Sequence, residues 1–193
     1  MKYTAIVFDF FGVFAPDVYP LWLTNNIPHW TDEKDYYLQL ALSADEGRIS
    51  KEQFLQALAN KATSTPQLVA QGLDDFSLNQ PMIALLQQVS ATHKTALLCN
   101  GAAPIVQPIL EANKLTDYFD TIVFSSEVGM AKPQPEIFRL VLDRLETAAE
   151  QAIFIDDRPV NVAGAASVGI TSILYTDMPA LQAELVKLNI AHR

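Results

Sequence analysis

The feature that most restricts this fold is a set of five short runs that are nearly all apolar rather than alternating. They are TAIVF (4–8), TALLC (95–99), TIVFS (121–125), AIFI (152–155) and TSILY (171–175). A strand with one wet face alternates apolar and polar residues, whereas a strand covered on both faces does not. Between the last four runs lie helical patterns: PIVQPILEANKL (104–115), PEIFRLVLDRLETA (135–148) and the small, apolar NVAGAASVG (161–169), in which Gly169 is a C-terminal stop. Prolines stand where the first two of these helices would open. Strands alternating with helices predict an α/β protein, with a five-stranded parallel sheet, right-handed crossovers and helices on both faces.

One interval breaks the rhythm. Between the first and second runs, NQPMIALLQQVSATHK (79–94) is an ordinary crossover helix. Residues 17–77 hold both tryptophans and helical stretches such as KEQFLQALANKA (51–62), but no clear strand. That is too long for a structureless loop. It predicts a small helical cap domain at 17–77, planted in a core domain made of 1–16 and 78–193. No internal repeat or low-complexity segment is present.

Open α/β sheets bind ligands beyond the carboxyl ends of their strands. Here those ends carry Asp9, then Cys99-Asn100-Gly101, then Ser125-Ser126, then Asp156-Asp157, with Lys132 just past the third. By itself Asp9 could be a nucleophile, a metal ligand or a turn residue. Carboxylates gathered at one edge repel unless a cation sits among them. Hard oxygen ligands with open positions suit Mg²⁺, which would also let a phosphate approach an acidic site.

Composition narrows the partners. A net charge of −9 opposes nucleic acid and anionic membranes. A single cysteine excludes a disulfide framework and fits a reducing cytoplasm. The first residues reach Asp9 too soon for a signal peptide, and no apolar run approaches a membrane span. The expectation is a cytoplasmic protein, monomer or homodimer, acting on a small molecule.

The segments VFDFFGV, LLCNGA, AKPQPEIF and FIDDRPVNVAGAASVGI together resemble the four sequential motifs of the haloacid dehalogenase (HAD) superfamily. The likeness spans essentially the whole chain. It implies the HAD-like Rossmannoid sheet with a helical cap of subfamily I, of which DEGRISKEQF (45–54) resembles a recurring segment. It further implies a phosphatase: Asp9 attacks phosphorus to form an aspartyl-phosphate, and Lys132 clamps phosphate and Asp9. Asp9, the Phe11 backbone carbonyl and the pair Asp156 and Asp157 would bind Mg²⁺, with Asp157 favoured for a direct bond. Asn161 would orient that loop. Cys99 stands where the family has Ser or Thr, and a thiol is a weak donor. The amides at Asn100 and Gly101 could still hold a phosphorylated substrate. Arg158, and Arg48, Trp22, Trp30, Tyr36 and Tyr37 of the cap, are candidates for substrate contact. The histidines at 29, 93 and 192 receive no role.

Phe11 departs from the pattern. HAD phosphatases usually carry an Asp there, which protonates the leaving oxygen and then activates water. Losing such a group costs about 10²–10⁴ in rate. Three functions therefore remain open: a phosphatase that is weak or restricted to good leaving groups, a non-catalytic binding protein, and a 2-haloacid dehalogenase. Dehalogenases often have an aromatic residue at this position but use an early-cap Arg, and residues 17–47 contain none.

Overall fold

The sheet of this computed structural model, which describes residues 2–101 and 103–190, contains five strands. They are β1 (Ala5–Phe8), β2 (Lys94–Cys99), β3 (Thr121–Phe124), β4 (Ala152–Asp156) and β5 (Thr171–Leu174). Every pairing is parallel, in the order β3-β2-β1-β4-β5. Alternate residues of β1, β2, β3 and β4 feed two separate apolar layers, as the period of two requires. Ile6, Phe8, Leu97, Cys99, Ile153 and Ile155 enter one layer. Ala5, Val7, Ala96, Leu98, Ala152 and Phe154 enter the other. This double burial is why the strand runs are nearly all apolar.

Helices close both layers. On the first lie α5 (Gln80–Ser90), α6 (Ala103–Ala112) and α10 (Met178–Lys187), through Met82 and Leu86, Val106 and Leu110, and Leu181 and Leu185. On the second lie α8 (Pro135–Arg144), through Ile137, Phe138 and Val141, and α9 (Pro159–Ser167), through Ala165. Each fully buried side chain of this size stabilises the fold by about 1.5–3 kcal/mol relative to exposure. Asn79 caps α5 by accepting from the Met82 amide.

Boundaries differ from the sequence reading for local reasons. The third strand stops at Phe124, because Ser125 opens a short helical turn, α7 (Ser125–Val128). The helix expected over 135–148 ends at Arg144, beyond which Glu146 takes a left-handed φ of 48°. The helix α10 had no counterpart in the sequence reading. Gly169 lies just past α9 at φ 94°, fitting its stop role.

Between β1 and α5 the chain forms α1 (Val18–Asn26), a 3₁₀ turn (Trp30–Glu33), α2 (Lys34–Asp45), α3 (Lys51–Ala62) and α4 (Pro66–Leu73). Ser50 and Gln53 form a capping box at the start of α3, and Thr65 caps α4 ahead of Pro66. This helical insert has its own apolar cluster, centred on Trp22, Leu23, Tyr37, Leu58 and Val69 and sharing no buried residue with the two sheet layers. Among the described residues no helix is long and apolar enough to cross a membrane.

Candidate active site

Strand order creates the site. The chain leaves β1 towards β2 and β3 on one side and returns to β4 on the other, so a crevice opens between β1 and β4. Phe8 stands opposite Ile155, and the Asp9 amide donates to the Ile155 carbonyl at 2.9 Å. The next residue on β4 is Asp156, so this register sets two acids side by side.

Lys132 lies between them. Its Nζ is 2.6 Å from Asp9 Oδ1 and 2.8 Å from Asp156 Oδ2, and its side chain is wholly buried. Asn100 fixes the lysine by its backbone: the Lys132 amide donates to Asn100 Oδ1 at 2.8 Å, and Asn100 Nδ2 donates to the Lys132 carbonyl at 2.9 Å. Asp156 is saturated with donors. The Arg158 amide reaches Oδ1 at 2.8 Å, and Asn161 Nδ2 spans Oδ1 and Oδ2 at 3.1 and 3.0 Å. Asp9 Oδ1 also accepts from the Phe10 amide at 2.7 Å.

One lysine serving two buried acids divides them. Burial pushes Asp9 up to about 8, with Lys132 pulling it down and Asp156 pushing it further up. Burial would also raise Asp156, but Lys132 and the surrounding donors hold it below its ordinary value. Burial would lower the Lys132 ammonium, yet the two acids outweigh that and hold it up.

Asp9, Asp156 and Asp157 offer carboxylate oxygens all within 4.8 Å of one another. Asp157 Oδ1 is buried and has no hydrogen-bond partner, which is costly unless a cation fills the place. Burial, and then the Asp156 charge, raise the Asp157 carboxyl. An orphaned oxygen, three clustered acids and hard oxygen donors fit a small divalent cation such as Mg²⁺. Gly12 makes room for this carboxylate: at φ 83° it has no side chain, and a Cβ there would lie 2.1 Å from Asp157 Cγ.

Phe11 lies in the same loop, half-buried. Its ring meets Phe10 edge-on at 5.0 Å and Phe76 at 6.5 Å, and lies 3.8 Å from where a Gly101 Cβ would be. The Phe11 ring thus packs among Phe10, Phe76 and Gly101, and it has no titratable group.

Several expected contacts fall elsewhere. Cys99 is fully buried in the first apolar layer, and burial raises its thiol well above the ordinary value, so it acts as a small neutral wall. The Gly101 amide does not stand free for an anion but donates to Ser125 Oγ at 3.0 Å. Trp22 and Tyr37 belong to the insert's core. Trp30 donates to Thr24 Oγ1 at 3.2 Å, Tyr36 stacks under Lys61, and exposed Arg48 pairs with Glu46 at 2.8 Å. Arg158 is exposed, and its amide donates to Asp156 Oδ1. His192 lies outside the described residues. The sequence reading assigned no bond to Ser125 or Ser126, although a hydroxyl at a strand end was its only available signal. The Ser125 hydroxyl bonds the Asp45 carbonyl of the insert, and Ser126 Oγ donates to the Gly101 carbonyl at 3.1 Å.

The model of the haloacid dehalogenase-like hydrolases matches residues 3–169. Bifunctional epoxide hydrolase 2 of Rattus norvegicus is 30% identical over 65% of this chain, which covers 24% of that protein. A sesquiterpene phosphatase of Aspergillus oryzae is 36% identical over 48% of this chain and 47% of its own. The chain thus spans between a quarter and a half of these relatives' lengths. Among solved structures, a predicted HAD-like family hydrolase from Porphyromonas gingivalis superposes with a TM-score of 0.81 at 22% identity, over 100% of both chains. A HAD-family enzyme from Bacteroides thetaiotaomicron, in complex with magnesium and inorganic phosphate, superposes at 0.75 and 20% identity over 90% of this chain and 94% of that one. At such identities the structural likeness speaks for the fold.

Proposed function

The chain belongs to the haloacid dehalogenase-like hydrolases, and from that footing we propose that it is a Mg²⁺-dependent phosphatase of small phosphorylated molecules, working through an aspartyl-phosphate on Asp9. The observation that carries this reading is the buried Asp9–Lys132–Asp156 arrangement beside the orphaned Asp157 oxygen. A relative that is a sesquiterpene phosphatase and a structural neighbour holding magnesium and phosphate support it.

In this reading Asp9 attacks phosphorus and the ester oxygen departs. Lys132, a point charge fixed by Asn100 and Asp156, neutralises the phosphoryl group as it nears the carboxylate. Asp156 acts by holding Lys132 and the Arg158 amide, and Asn161 holds Asp156. Asp9, Asp156, Asp157 and the Phe11 carbonyl would hold Mg²⁺, which would supply the charge that admits an anion to an acidic crevice. The helical insert serves as the cap that selects substrate. Phe11 gives no proton, so acyl and aryl phosphates, whose leaving groups need little protonation, turn over fastest.

The test is turnover of acetyl phosphate, an aryl phosphate and a sugar phosphate, beside a 2-haloacid, with and without Mg²⁺, by wild type and Asp9→Asn. Mg²⁺-dependent phosphate release abolished by Asp9→Asn is expected. Turnover indifferent to that change, or of the haloacid alone, would sink the proposal.

A further inference from the structure

Asp45 is the last residue of α2, the end of a helix where a negative charge is unfavourable. Its carboxylate is half-buried, accepts no hydrogen bond and forms no ion pair among the described residues. A charge kept in such a place weakens the fold, so its presence asks for a use outside stability. Its position supplies one. The Asp45 carbonyl is bonded by the Ser125 hydroxyl, which also takes the Gly101 amide. Gly101 faces the Phe11 ring, and its neighbour Asn100 holds Lys132 against Asp9. Two residues on, Gly47 presses on the Ser126 carbonyl so closely, at 2.4 Å from an added Cβ, that no side chain fits. The end of α2 is thus docked on the residues that follow β2 and β3.

We infer that Asp45 is the proton donor to the leaving oxygen, a catalytic residue supplied by the insert in place of the side chain that Phe11 lacks. The inference rests on the phosphatase reading. When the Asp9 carboxylate bonds to phosphorus, the phosphorus–oxygen ester bond breaks, and its electron pair takes the proton of the Asp45 carboxyl, releasing an alcohol. When water then attacks the aspartyl-phosphate, the Asp45 carboxylate takes the water proton, the phosphorus–oxygen bond to Asp9 breaks, and both acids return to their starting forms. The charges that act on the Asp45 carboxyl are Lys132 and Arg158 of the core, Asp17 ahead of α1, and Glu46. Burial raises its carboxyl to about 6 against the pull of the two cations, so a protonated fraction persists near neutrality.

The experiment compares Mg²⁺-dependent kcat/KM, which reports the steps through alcohol release, for glycerol phosphate and for 2,4-dinitrophenyl phosphate. Wild type, Asp45→Asn and Asp9→Asn are measured from pH 5 to 8. Asp45→Asn is expected to lower glycerol phosphate turnover by about 10²–10⁴-fold, leave the aryl phosphate near wild type, and erase a fall in alkyl turnover above about pH 6. The intact aryl reaction also shows that the variant folds. Equal losses on both substrates, no loss on either, or an absence of wild-type alkyl turnover beside Asp9-dependent aryl turnover would each overturn the role of Asp45 alone. No turnover of either ester by wild type would overturn the phosphatase reading and this inference with it.

Discussion

The ends of β1 and β4 meet in one crevice, yet their acids are treated in opposite ways. Asp156, at the end of β4, is fully buried and has donors on both oxygens: Lys132, the Arg158 amide and Asn161. Asp9, just past β1, receives Lys132 and the Phe10 amide, both on Oδ1. Neighbouring carboxylates of the same chemical type thus divide into one with donors on both oxygens and one with its donors on a single oxygen. The first can anchor a cation; the second can bond to an electrophile.

The sharpest way to break this contrast is Asp9→Asn. On the proposed reading, in which Asp9 is the nucleophile, this change is expected to cut phosphate-ester turnover by about 10⁴–10⁶-fold, while circular dichroism stays native and the metal-free melting temperature rises. Next comes Asp156→Ala, which strips Lys132 and Asn161 of a buried partner. Urea unfolding should show a loss of about 3–5 kcal/mol, where the Asp9 variant shows none. Gly12→Ala forces a Cβ into the Asp157 carboxylate at a left-handed φ. It should cost about 1–3 kcal/mol and blunt the melting shift produced by Mg²⁺. Asp157→Ala should abolish that shift with the smallest change in metal-free stability, since the carboxyl it removes has an unpaired oxygen.

A pH series gives the gentlest test. Folded Asp9 keeps its proton up to about 8 and Asp45 to about 6, whereas an ordinary Asp releases it near 3.8. Across that window the unfolded chain binds fewer protons, so metal-free stability falls as pH rises from about 4 to 8. Asp156, held low, contributes with the opposite sign and only below 3.8. Stabilisation by Mg²⁺ should grow over the same window, because the cation competes with the Asp9 proton. A flat melting temperature from pH 5 to 8 without metal would contradict the enclosed Asp9.

What was legible in the chain followed short-range rules. Nearly all-apolar runs pointed to the five strands, their polar termini to Asp9, Asp156 and Asp157, and the segment just past the third strand to Lys132. The unexpected features arise from pairings far apart in sequence. The Asn100 side chain turns onto the backbone of Lys132, 32 residues away, and Ser125 joins Asp45 across 80 residues. Cys99 was open between substrate contact and packing, because a strand-end residue can face the crevice or the layer beneath it. Only the alternation along β2 decides, and it turns Cys99 with Leu97 into the first apolar layer.

The shared lysine also dictates an order of events. Three acids and one ammonium leave the crevice with a negative charge, so a phosphate arriving first meets repulsion, and a cation arriving first reverses it. On the proposed phosphatase reading, metal and anion would bind as a compulsory sequence rather than independently: titration calorimetry with inorganic phosphate should record heat only after Mg²⁺ has been added.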